Sequence, residues 1–93
     1  MMFFYTYVLL SLKDKRMYTG YTSDLDLRII QHNKGNVVST KDRRPLKLIY
    51  YEACLSQSSA LKREKYLKTT YGKRYLKNRI NFEEIITQGK GSC

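Results

Sequence analysis

The chain is short of the residue types that mark several protein classes. Its 93 residues include two cysteines, Cys54 and Cys93, too far apart to form a paired metal motif. Two isolated cysteines are most simply read as reduced thiols in a cytoplasmic protein, not as a disulfide framework. No apolar run approaches the roughly 20 residues that a membrane-spanning helix needs. The opening Met1-Met2-Phe3-Phe4-Tyr5 is apolar but has no basic segment before it, and the charges of Lys13 to Arg16 soon follow. It reads as a strand and not as a secretion signal. A long helix with one basic and one broad apolar face is also missing, which argues against a membrane-surface role. There is no internal repeat and no second domain. One domain is expected over residues 1–86, with a small, polar, flexible tail at 87–93.

The scarcest charge is negative. Eight Asp and Glu stand against eighteen Lys and Arg, for a net charge of +10. At this size such a balance implies a polyanionic partner, and nucleic acid comes first. Nine tyrosines accompany the charge, and aromatic faces can stack on bases between phosphate-binding cations. Some of those tyrosines must also be core.

Phe4 to Leu12 is β-branched and aromatic and apolar on both faces, which predicts a central strand. Tyr5, Tyr7 and Leu9 share one of its faces. Lys13-Asp14-Lys15-Arg16 is a charged turn, and Met17 to Thr22 returns as the second strand of a hairpin, with Tyr18, Gly20 and Thr22 on one face. A helix follows from about Asp24 to Asn33, capped by Ser23 or Asp24 and stopped by Lys34-Gly35-Asn36. Val37 to Pro45 is polar and basic and reads as a loop. Arg43 and Arg44, beside the lone Pro45, suit contact with a phosphate backbone, although a merely solvated loop fits equally well. Leu46 to Glu52 predicts a third strand. A second helix runs from about Gln57 to Thr69, Gly72 breaks it, and Lys73 to Ile80 forms a third.

Two positions carry chemistry beyond this outline. Arg28 and His32 stand four residues apart, on one side of the first helix. A fixed cation beside a titratable imidazole suits a grip on phosphate. The plainer reading pairs Arg28 with Asp24. In the second helix, Glu64 projects from the edge of the stripe formed by Ala60, Leu61 and Leu67. A carboxylate so placed needs a partner, either a basic side chain or a metal; an ion pair with Lys68 is the plainer reading.

Taken together these words have a recognisable spacing. Tyr5-Thr6-Tyr7 is followed after eleven positions, Tyr7 to Tyr18, by Tyr18-Thr19-Gly20, then by Arg28 ten positions on, and by Glu64 in a later helix. His32-Asn33-Lys34-Gly35, Thr40 with Arg43-Arg44-Pro45, and Ala60-Leu61-Lys62-Arg63-Glu64 complete the pattern. From about Phe4 to Ile80 the chain resembles the GIY-YIG nuclease family, notably its small stand-alone bacterial members, and is similar to the N-terminal domain of the excision-repair nuclease subunit. It departs from the pattern in lacking Gly and Ile in the first word and in having Thr19 where Ile or Val is usual. The tyrosines are kept.

The resemblance implies an α+β fold, a small three-stranded antiparallel sheet flanked by about three helices, with one metal-dependent site on a sheet face. It implies that Glu64 holds a divalent cation, magnesium with manganese as a substitute. Tyr7 is then the general base or positions the water, Tyr18 assists, Arg28 binds the phosphate, and His32 relays a proton or orients Tyr7. Gly20 would let the strand pass close to the substrate. Arg43, Arg44, Lys73 and Arg74 are looser candidates for backbone binding. A late asparagine would be Asn78 or Asn81. The expected activity is phosphodiester hydrolysis in DNA, ahead of RNA, with weak sequence preference, in a structure-specific and repair-related role. Two other readings stand beside it. One is a basic nucleic-acid-binding module that keeps the fold without the catalysis. The other is a subunit that works through a protein partner.

Overall fold

The computed structural model of the chain describes residues 1–88. Three strands, β1 (Phe4–Ser11), β2 (Met17–Thr22) and β3 (Leu46–Cys54), form an antiparallel sheet in the order β2-β1-β3. Helices α1 (Leu25–Asn33), α2 (Gln57–Leu67), α3 (Thr70–Arg79) and α4 (Phe82–Gln88) surround it, with a short 3-10 turn over Lys41–Arg43. This is the α+β architecture expected from the sequence.

β1 lies between the other two strands, as its two-sided apolar pattern requires, and every residue from Thr6 to Ser11 is buried. Across the hairpin Tyr7 pairs with Gly20 and Leu9 with Tyr18; on the other side Tyr7 pairs with Tyr51 and Val8 with Tyr50. The β3 partner then skips from Tyr50 to Leu48, a bulge at Ile49 that turns the strand. Alternation sends Val8 to the opposite side of the sheet from Tyr7. There Val8, Leu67 and Leu76 form a buried cluster, closed by Met17, Ile49, Tyr50, Tyr75 and Ile80. The core thus joins β1 to α2 and α3, and leaves the Tyr7 face for other use.

Three structural findings amend the sequence outline. The corner between α2 and α3 lies at Lys68 and Thr69, not at Gly72. The Thr69 hydroxyl caps α3 by accepting from the Gly72 amide, which satisfies one of the orphan donors there. Gly72 allows the tight corner, because a side chain on it would strike the Tyr66 carbonyl and Leu67. The Val37–Pro45 stretch is not a solvated loop throughout: Val37 and Thr40 are buried. Finally, α4 runs on through Gln88, two residues into the expected tail; the remainder, 89–93, lies outside the described residues. Among the described residues Cys54 is a free thiol, and no helix is long and apolar enough to cross a membrane.

Candidate active site

The hairpin register puts the Tyr7 ring directly over Gly20. A side chain at Gly20 would overlap the Tyr7 phenol. The space that the sequence suggested for a substrate is therefore filled by the protein's own tyrosine. From that position the Tyr7 hydroxyl lies 2.8 Å from His32 Nε2. His32 sits in the last turn of α1, and its other nitrogen, Nδ1, lies 2.7 Å from Thr40 Oγ1. Tyr7 is 1% exposed, and His32 and Thr40 are fully buried. Tyr18 closes the group, its ring edge-on to His32 at 5.3 Å between centroids, while the Tyr7 and His32 rings meet likewise at 5.6 Å.

Burial sets the proton affinities. It pushes His32 down to about 4, helped by the nearby Arg28 guanidinium. His32 is thus neutral at pH 7, with one ring N–H and one lone pair. If Nδ1 donates to Thr40, Nε2 is free to accept from Tyr7; the opposite tautomer reverses both bonds. Burial likewise raises Tyr7 above its ordinary value, Arg28 pulls it back, and Tyr18 and Glu64 raise it. Tyr7 is therefore a neutral phenol at rest. Arg28 and Glu64 both stand near enough to bias its proton, in opposite directions.

Arg28 is half-buried and donates from Nη1 to Gln31 Oε1 at 3.2 Å. Its plainer partner, Asp24, instead caps α1 by accepting from the Leu27 amide. Glu64 does make the ion pair with Lys68, at 3.1 Å, with its own side chain 19% exposed and that of Lys68 53%. Among the described residues no group of three or more His, Cys, Asp or Glu forms a metal cage. The fit is to a hard cation held by one carboxylate and several waters, which suits magnesium better than a metal demanding a full protein cage.

The looser candidates divide. Arg43 is taken up by the fold: it pairs with Asp14 at 2.7 Å, donates to the Arg16 carbonyl, and helps draw Asp14 down to about 2. Arg44 donates to the Lys41 carbonyl and lies where a side chain at Gly35 would be. Arg74 lies over the Tyr71 ring at 5.8 Å. Lys73 alone adjoins the centre, lining with Met17, Tyr18, Thr19 and Lys68 a cleft of about 220 Å³. Asn78 is exposed, and Asn81 caps α4 by accepting from the Glu84 amide. The structure thus gathers Tyr7, Tyr18, Arg28, His32 and Glu64 in one place.

Sequence reasoning passed over Thr40. Its one signal was its position eight residues after His32, in a loop short enough to fold straight back.

Comparison with known proteins agrees with this geometry. The family described as the GIY-YIG catalytic domain matches residues 3–81. A UPF0213 protein of Staphylococcus saprophyticus is 47% identical over 66 residues, covering 70% of this chain and 80% of that one. Another, from Staphylococcus haemolyticus, is 44% identical over 66 residues, covering 70% and 79%. The solution NMR structure of a UPF0213 protein from Bacillus halodurans is 36% identical, with a TM-score of 0.50, over 81% of this chain and 82% of that one.

Proposed function

The chain belongs to the GIY-YIG catalytic domain family, and from that premise we propose that it is a metal-dependent endonuclease hydrolysing phosphodiester bonds in DNA. The observation that carries this reading is the buried line from Tyr7 through a neutral His32 to Thr40. A hydrolase needs a group that takes a proton from water without being charged beforehand. Tyr7 serves by taking the water's proton as it passes its own to His32 Nε2, with Nδ1–H held by Thr40. The water oxygen bonds to phosphorus as the bond to the 3′ oxygen breaks. Arg28 binds the phosphate as negative charge gathers on it, and Tyr18 orients the group through its hydroxyl. Glu64 holds the divalent cation, which when bound supplies Lewis-acid stabilisation of the phosphate and the leaving oxygen.

The test is cleavage of labelled duplex, nicked, flapped, branched and single-stranded DNA, and of RNA, with magnesium, manganese or a chelator. Repair intermediates head the panel because of the resemblance to the excision-repair domain. Metal-dependent cutting that disappears in Glu64→Ala, with binding retained, supports the reading; cutting by the mutant at the parent rate removes Glu64 from it. One observation favours a second reading. The Glu64 carboxylate is already paired with Lys68, as it would be in a binding module that had given up its metal. Salt-sensitive binding with nothing cut would establish that instead.

A further inference from the structure

A second cleft, of about 870 Å³, opens between the β1–β2 turn and the α3–α4 pair. We propose that it binds an unpaired stretch of the nucleic-acid strand running out of the active site, so that the preferred substrate carries a single-stranded segment beside the cut. This rests on the nuclease reading for its direction, whereas the binding itself does not.

The lining has two parts. Its rim carries Lys15 and Arg16 from the turn and Lys73 and Lys77 from α3. The acid present, Asp14, is neutralised by Arg43, so the cleft as a whole is strongly cationic. Its floor is apolar, made by Leu10, Met17, Phe82 and Ile86. Cations alone would serve any phosphate backbone, duplex or single-stranded. The floor is what discriminates. A duplex hides its base faces in its own stack, and an aromatic ring beneath the cations would then meet nothing. An unpaired base exposes its face, and stacking on an aromatic side chain is worth about 1–3 kcal/mol per base. The volume lies in the range of about 300–1,000 Å³ typical of small-ligand sites, which suits nucleotides and not a double helix.

The cleft is also continuous with the candidate active site. Met17 and Lys73 line both it and the smaller cleft beside Tyr18 and Lys68. Tyr18 touches His32, and Lys68 holds Glu64. A strand whose scissile phosphate lies at Arg28 and Glu64 is thereby led past Tyr18 and Lys73 to the floor at Phe82.

Equilibrium binding in a chelator tests this without any cleavage. Fluorescence anisotropy would compare the full chain with labelled oligothymidylate and with a blunt duplex of equal length. Lys15→Gln combined with Lys77→Gln changes only exposed side chains outside the catalytic group. It should weaken single-strand binding about tenfold and lower the slope of log affinity against log salt by about 1.4, from about 0.7 per phosphate contact. Phe82→Leu, which keeps apolar bulk but removes the ring, should weaken single-strand binding severalfold and leave the duplex unchanged. Equal losses on both ligands, or no loss in the lysine variant, would overturn the proposal. Should Phe82→Leu fail to fold, the lysine variant decides alone. If binding follows the cleft but nothing is cut with metal present, the nuclease reading fails and the cleft stands. If duplex is cut while single-strand binding ignores the cleft, the reverse holds.

Discussion

Tyr7 and Tyr50 lie on neighbouring strands, on opposite sides of the sheet, and their hydroxyls live in opposite company. Tyr50 donates to Glu52 at 2.7 Å and meets the Tyr75 hydroxyl at 3.2 Å. Glu52 in turn accepts two bonds from Arg63, at 2.8 and 2.9 Å. The Arg63 guanidinium lies 4.7 Å from the Tyr75 ring and 5.3 Å from that of Tyr66. Each charge there has its opposite, and burial, Tyr75 and Glu52 all push Tyr50 well above the ordinary phenol range, so its proton is locked in place. Tyr7 has no carboxylate in its hydrogen-bonded line, only a neutral imidazole and a hydroxyl. The charges of Arg28 and Glu64 bear on it from nearby. A network closed by opposite charges fastens β3 to α2 and α3. One left neutral keeps a proton that can move.

The sharpest way to break this comparison is to remove each hydroxyl. Tyr7→Phe should lower turnover by about 10²–10⁴-fold, the usual weight of a general base, with nucleic-acid binding unchanged. Tyr50→Phe should leave turnover as it is and cost about 1 kcal/mol of stability. Steady-state cleavage beside denaturant unfolding reads both; equal turnover losses would erase the distinction.

Acid separates the two networks next. His32 titrates near 6.5 when unfolded and at about 4 when folded, so between these values the unfolded chain binds more protons. Stability should therefore decline as pH drops from 6.5 to 4, by up to about 3 kcal/mol, and level off below. His32→Asn should flatten that window. Burial works against ionised Glu52, but Arg63 and Tyr50 prevail and hold its pKa below the usual value. Its contribution persists through the His32 window and is lost only as pH falls below the ordinary carboxylate range. Urea midpoints between pH 3 and 8 would resolve the two steps.

Arg63→Ala should cost about 2 kcal/mol. The loss of one partner from a fully buried pair is worth about 3–5, and the side chains here are 32% and 30% exposed, so solvent screens part of it. Activity per folded molecule should hold. Gly20→Ala should have the smallest effect on stability, about 1–2 kcal/mol of overpacking, yet it displaces the Tyr7 phenol and should slow cleavage more than it weakens the fold. Melting temperature and turnover measured together would show whether the two losses part company.

Much of this was legible in the chain. The β1–β2 hairpin, and with it the shared face of Tyr7 and Tyr18, followed from alternation, and the Arg28–His32 face of α1 from helical spacing. What escaped were partnerships fixed by tertiary approach. Arg43 counts as a phosphate-binding charge in composition, but Asp14 and the turn carbonyls claim it. Glu52 and Arg63 lie on different elements, and nothing in their spacing joins them. Gly20 signals a close approach without saying by what, and the visitor is Tyr7. Glu64 with Lys68 was readable either way, because helical spacing permits the ion pair without requiring it.

The chain order of the site has its own consequence. Tyr7, Tyr18, Arg28, His32 and Thr40 all come from one uninterrupted stretch, closed by short loops at small entropic cost, whereas Glu64 arrives from α2. The proton-handling half is a local assembly and the carboxylate a long-range addition. Lifting α2 from the sheet would uncouple the two halves and leave the first intact, so the bond between Tyr7 and His32 should outlast the activity when the protein begins to open.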